Sequence, residues 1–292
     1  MTVVLGSIVV LASVLGGFMW AGGPPLVLFQ PAEFLIIGGA AIGSLVISTP
    51  VAVLKAIVSQ STRFFTARPG RTEYLELLAM LHQLFRMAQQ SGLMTLEEHA
   101  DKPHESEIMS RYPRFLARHH AVSFLTDSIK VMMLGGIAQH DLEALMDEDL
   151  HVHHAEESKP SATLAHVGDA LPGLGIVAAV LGVVITMQSI DGPPEEIGHH
   201  VAAALIGTFI GILLCYGFVG PMATNLEHIV ADERHYLECL KVAVLSLYKG
   251  LSPGIAVEFA RRVLPSDVRP SFEETEQYCR AAKAGPAEQK AA

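Results

Sequence analysis

The sequence predicts an all-α polytopic membrane protein with four transmembrane helices and a helical cytoplasmic domain. Half of its 292 residues are apolar and only 17% are charged, and the mean hydropathy is +0.38, outside the range of ordinary soluble domains. Four stretches, Val3 to Ala32, Phe34 to Leu54, Ala170 to Ile190 and Val201 to Leu226, contain no Asp, Glu, His, Lys or Arg. Strand-type alternation is absent, whereas the charged regions repeat apolar residues at helical spacing.

Each charge-free stretch meets the roughly 20 residues needed to cross a hydrocarbon core. In the first, "GGPP" (Gly22 to Pro25) breaks the helix, so the span runs from Val3 to Ala21 with Trp20 as an interfacial anchor. A cleaved signal peptide is disfavoured, because Met1-Thr2-Val3 offers no basic n-region and the apolar run exceeds an h-region. Lys and Arg set the orientation. None lies in residues 22–33 or 191–198, eleven lie in 55–169 and nine in 222–292. The positive-inside rule therefore puts both termini and the central region in the cytoplasm.

Four regions follow. Residues 1–54 hold transmembrane helices 1 and 2 with a short outer loop, and 55–169 form a cytoplasmic helical domain. Residues 170–221 hold helices 3 and 4 with a second short outer loop, and 222–292 a cytoplasmic helical region and a disordered tail. "EYLELLAMLHQLFRMAQQSG" puts Leu77, Leu81, Leu84 and Ala88 on one stripe, with Gly92 as the C-cap glycine. "DLEALMDEDLHVHHAEE" is an acidic amphipathic helix. In "ATNLEHIVADERHYLECLKVAVLSLYKG", Leu226, Ile229, Val230, Leu237, Leu240, Val244 and Leu247 extend the last span into the cytoplasm. The closing "RAAKAGPAEQKAA" has a disordered composition. Cys215, Cys239 and Cys279 fall in a span or on the cytoplasmic side, so no disulfide framework is expected. The net charge of −10 gives no hint of nucleic-acid binding.

Chemical motifs are sparse. "GLGIVA" (Gly173 to Ala178) formally fits a dinucleotide fingerprint, but it needs a preceding strand and here runs into lipid. His151, His153 and His154 sit beside acids; only His151 and His154 share helical spacing, without a second ligand pair, so a solvated face is the better reading. No Ser/His/Asp, Walker or H-E-x-x-H pattern occurs, and the chain is not expected to be an enzyme, nor to hold a cofactor or metal.

Small residues are more informative. Pro172, Gly175, Ala179, Gly182 and Thr186 recur at three- and four-residue steps in the third span, and Ala204, Gly207, Thr208, Gly211 and Cys215 in the fourth. Such faces let helices approach closely in lipid. For Gly39-x-x-x-Gly43 in the second span, packing within the chain is the preferred reading. For spans three and four, that reading and a shared groove for another helix both stand. The spans hold no carboxylate or histidine to carry a proton, and Ser44, Thr186, Thr208 and Tyr216 cannot store one at physiological pH. Either no ion moves, or a partner supplies the carboxylate.

"GDALPGLGIVAAVLGVV" and "AAALIGTFIGILLCYGFVGPMATNL" closely resemble spans three and four of the MotA family of flagellar stator proteins. "GGPPLVLFQPAEFLIIGGAAIGS", "HESEIMSRYPRFLA", "EALMDEDL" and "IAVEFARRVL…RPSFEETE" are similar to that family too, so the resemblance covers nearly the whole chain. It implies a multi-pass protein of the bacterial inner membrane, in contact with lipid, that works with MotB, whose single span bears an aspartate. A ring of MotA subunits would surround a MotB dimer, and ion flow would turn the ring against FliG of the rotor, driving swimming.

The resemblance also implies residue roles. Pro172 and Pro221 match the two prolines tied to coupling ion flow to torque, although Pro221 also reads as a simple kink or end signal. Gly175, Gly182, Gly207 and Gly211 would form the face that packs on the MotB helix. Ala179 stands where sodium-driven relatives carry threonine, which favours a proton over sodium as the transported ion. Thr208 would hydrogen-bond the MotB carboxylate or a channel water, and Tyr216 is a further pore candidate. Glu97 matches an acidic rotor-contact position; its basic counterpart is Gln89 here, leaving Arg86 as compensation or as a solvating charge. Asp169 is either a helix N-cap or a proton exit residue. A proton-driven energiser of the ExbB/TolQ type is the alternative, but it has three spans.

Overall fold

A computed structural model gives the fold and describes residues 2–65, 68–188 and 191–283. Among them are α-helices and no strand. In chain order the helices are α1 (Thr2–Trp20), α2 (Pro31–Ser48), α3 (Val51–Ser61), α4 (Arg71–Ser91), α5 (Glu97–Asp101) and α6 (Pro113–Leu116). There follow α7 (His119–Leu134), α8 (Gln139–Gln188), α9 (Pro194–Leu214), α10 (Gly220–Tyr248), α11 (Pro253–Arg262) and α12 (Phe272–Lys283). The expected disordered tail falls largely on residues 284–292, outside the described residues.

The chain forms two compact units, residues 1–66 with 157–229 and residues 67–156 with 230–292. These limits lie inside the charged regions, about a dozen residues from where the sequence set its boundaries at 54/55 and 169/170 and about eight from 221/222. Charge marks where lipid must end, whereas packing continues along the same helices.

The first unit carries the apolar helices. All four predicted spans correspond to helices long and apolar enough to cross a membrane. Helix α1 has no buried residue from Val3 to Trp20, although Val10 and Val14 are half-buried, and Trp20 is 94% exposed. The second span differs from expectation. Thr49-Pro50 ends it at Ser48, because the residue before a proline avoids the helical region. It also starts at Pro31, a residue with fixed helical φ and no donor to waste, so Glu33 joins the helix. A short 3-10 turn, Pro25–Leu28, folds back from α1 to α2. Its Pro25 and Leu28 line an apolar cavity of about 440 Å³ opposite Phe209, Leu213 and Leu214 of α9. Gly39 and Gly43 meet nothing within 4 Å, so the expected packing of that stripe inside the chain does not occur. At the other end of the unit, Glu157 of α8 accepts hydrogen bonds from Gln60 (2.9 Å) and Arg63 (3.0 Å).

The second unit has the larger core. Leu77, Leu81, Leu84 and Ala88 are buried as their spacing requires, and Gly92 adopts φ +89° to cap α4 with its N–H on the Ala88 carbonyl. Arg118 anchors the centre. Its Nε donates to Glu73 at 2.6 Å, and its guanidinium lies 4.7 Å from the centroid of the Tyr236 ring, which packs on Tyr74. Burial is the largest single influence and works against that charge, but the Glu73 hydrogen bond and the charge of Glu73 together outweigh it and hold Arg118 above its ordinary value. All three cysteines are buried and free.

Candidate functional site

The glycines of the third and fourth spans meet each other. A Cβ built on Gly175 would lie 2.8 Å from the Gly207 carbonyl oxygen and 3.3 Å from the Thr208 Cα. One on Gly182 would lie 2.8 Å from the Ala204 Cβ, and one on Gly211 2.5 Å from the Leu171 carbonyl oxygen. This corrects the sequence reading: Gly175, Gly182, Gly207 and Gly211 are consumed by the α8–α9 seam of one chain and offer no open groove to a partner helix. Backbone contact between two helices needs hydrogen in place of a side chain on both.

The register shifts by one residue as well. The buried stripe on α8 is Leu171, Gly175, Ala178, Gly182 and Thr186, so Ala178 and not Ala179 packs into the seam. Thr186 is turned inward, and its hydroxyl donates to the Gly182 carbonyl at 2.8 Å. Pro172 and Ala179, one residue off that stripe, are half-buried at its border. Beyond them Ile176, Val180, Val183 and Val184 are all at least 48% exposed, leaving an apolar surface for lipid or other chains.

At one end of this seam α8 approaches the start of α10. A Cβ on Gly168, whose carbonyl Pro172 cannot satisfy, would lie 3.6 Å from the Gly220 nitrogen, one residue before Pro221. Pro172 lies four residues, ~6 Å along the axis, from the level of Gly220. Helix α8 runs through Pro172 without interruption. Pro221 is accommodated differently, by a π-helical turn at Cys215–Val219 directly before it, where Gly220 N–H reaches back to the Cys215 carbonyl. The wider turn relieves the clash between a proline ring and the preceding turn. Tyr216 lies in it, 73% exposed, and Pro221 itself is exposed. Thr208 is half-buried at the Gly175 level of the seam.

Sequence reasoning missed one residue here. Glu33 is only 6% exposed and its Oε2 is directed at Gly207, 2.6 Å from where a Cβ would sit. The statement that no carboxylate lies among the apolar helices is therefore corrected. The available signal was the Gln30-Pro31 pair, a helix start that carries Glu33 into α2.

The rotor-contact candidates lie in the second unit. Glu97 opens α5 and is exposed, Gln89 is exposed near the end of α4, and Arg86 is half-buried without an ion pair among the described residues. The histidine cluster does not converge: His151 is exposed, while His153 stacks flat on His120 with ring centroids 3.5 Å apart.

Residues 4–92 match the family model "Motility protein A N-terminal", and residues 117–239 match the "MotA/TolQ/ExbB proton channel family". Motility protein A of Escherichia coli K12 is 42% identical over 284 residues, 97% of this chain and 96% of that protein. Among solved structures, MotAB of C. jejuni matches with a TM-score of 0.76 at 20% identity, over 92% of this chain and 98% of that one. The flagellar MotAB stator complex of Bacillus subtilis matches at 0.74 and 23% identity, over 90% and 95%. The chain belongs to the Motility protein A family, within the MotA/TolQ/ExbB proton-channel proteins.

Proposed function

We propose that this chain is the MotA-type subunit of a flagellar stator in the bacterial inner membrane, with both termini cytoplasmic. It assembles as a ring around a MotB dimer, and proton flow through the complex drives torque on FliG. The observation that carries this reading is the match to Motility protein A across nearly the whole of both chains. The inner-membrane orientation is supported by the confinement of all twenty Lys and Arg to residues 55–169 and 222–292.

In this reading MotB supplies an aspartate. Its helix lies against the outer surfaces of α8 and α9, beside Ala179, Pro172 and Thr208, and not in the glycine seam. Ala179 brings no hydroxyl to the path. A partly dehydrated sodium ion needs several oxygen ligands, whereas a proton needs only a carboxylate and water, so the absence favours protons. Pro172 and Pro221, on either side of the Gly168–Gly220 approach, form the joint through which a change near the ion reaches the cytoplasmic helices. Glu97 and Arg86 meet complementary charges on FliG.

The test is swimming in a strain lacking its own stator, with this chain and its MotB partner expressed together. The expected result is motility in sodium-free medium that stops when a protonophore collapses the gradient. Swimming that survives full uncoupling and stops without sodium would contradict the ion assignment.

A further inference from the structure

Glu33 is a titratable group of this chain among apolar helices. It is 6% exposed, and its Oε2 is buried without a hydrogen-bond partner among the described residues. Its carboxyl occupies the space that a side chain at Gly207 would take, with Cδ 3.3 Å and Oε2 2.6 Å from that Cβ position. Gly207 is seven residues beyond His200, the last titratable residue of α9, or about 10 Å along the axis. No Lys or Arg occurs in residues 1–54 or 160–229, so these helices offer no permanent cation to pair with it.

A merely structural role fits this poorly. Burying a carboxylate without donor or counter-ion costs several kcal/mol, and a leucine would fill the same volume without that cost. Ionisable side chains retained inside membrane segments mark routes for ions and protons. The same Cβ position lies 3.2 Å from the Ala178 Cβ, so the carboxyl reaches the border of the α8–α9 seam.

We propose that Glu33 is a proton-exchanging residue of the ion path, supplied by this chain in addition to the carboxylate of MotB. The proposal rests on the stator reading above. A hydrated proton gives its H⁺ to a Glu33 oxygen, leaving a carboxylic acid and a water molecule. Release to a second water restores the carboxylate and a hydrated proton, so charge and atoms balance.

The experiment uses the full chain with its MotB partner in cells lacking another stator, and measures the stator-dependent proton leak after an external acid step. Membrane level and co-purification with MotB report assembly. Glu33→Gln should assemble normally and lose at least about tenfold of the leak, while Glu33→Asp retains most of it. Gly207→Ala should displace the carboxyl and lower the leak, with no further loss in the double variant. If wild type itself shows no leak, the stator reading fails. If wild type leaks and Glu33→Gln leaks equally, the Glu33 proposal falls and the stator reading stands. Should Glu33→Gln fail to assemble, infrared difference spectra of the wild-type complex across a pH step decide. A carboxyl band that moves in Glu33→Asp supports exchange, and an unmoved spectrum overturns it.

Discussion

Gly175 and Gly211 hold two helices at backbone contact, the Cβ position of Gly211 lying 3.0 Å from the Gly175 Cα. Alanine at 211 must also meet the Leu171 carbonyl oxygen at 2.5 Å, and backbone yields less readily than a side chain. Gly211→Ala should therefore destabilise the membrane unit by about 1–3 kcal/mol. Gly173, which meets nothing within 4 Å, supplies the control. Thermal unfolding in detergent should show a clear drop for Gly211→Ala and none for Gly173→Ala; equal effects would refute the seam.

Arg118 joins Glu73 and Tyr236 in the core of the second unit. Arg118→Met strands the partly buried Glu73 carboxylate, whose side chain is 14% exposed, with an expected loss of about 1–3 kcal/mol. The double variant Arg118→Met, Glu73→Gln should recover part of it. A double-mutant cycle that returns no coupling between the two positions would remove the ion pair from the account of stability.

The C-terminal helices carry a pH-dependent contribution. Hydrogen bonds from Arg261 first, and from Arg262, hold the Glu258 carboxyl down at about 2. A depressed carboxyl contributes stability that is complete above its unfolded value near 4.5 and is lost as pH falls towards 2. Arg262 is 73% exposed, so solvent screening limits the gain. Glu258→Gln should lower the unfolding temperature at neutral pH, and the gap to wild type should close between pH 4.5 and 2. A gap that is constant with pH would contradict this assignment.

Rotor contact is testable by charge reversal. Glu97 is exposed on the surface of its unit, so Glu97→Lys should leave the stator at normal levels yet slow rotation under load. Arg86→Glu should do the same if it compensates for Gln89. Torque unchanged in both variants, with normal assembly, would place rotor contact elsewhere.

Much of this architecture is legible in the sequence for one reason: lipid excludes charge, so the spans appear as charge-free runs. The same rule concealed Glu33. Cutting the second run at the first charge left this residue in a loop, whereas Pro31 and the folded-back Pro25–Leu28 turn place it against α9. The α8 stripe was read one residue out at Ala179, because Ala178 and Ala179 are equally small and only the facing helix selects between them. Proline inside a helix ordinarily kinks or ends it, yet α8 continues through Pro160 and Pro172, its packing outweighing two lost hydrogen bonds. Nothing local in the sequence announced that Arg118 would meet Glu73 and Tyr236, since that meeting depends on tertiary closure.

The three thiols have a practical consequence. Cys215, Cys239 and Cys279 are all shielded, and burial pushes Cys279 up to about 12 and Cys239 higher still. Reagents that attack thiolates should therefore leave the unaltered protein nearly silent. A single cysteine placed at Leu26, 84% exposed in the α1–α2 connection, would be the one readily labelled position. With a membrane-impermeant maleimide it should react in intact cells, whereas a cysteine at Glu97 should react only after permeabilisation. The protein comes with its own blank, and its sidedness can be mapped one added sulfur at a time.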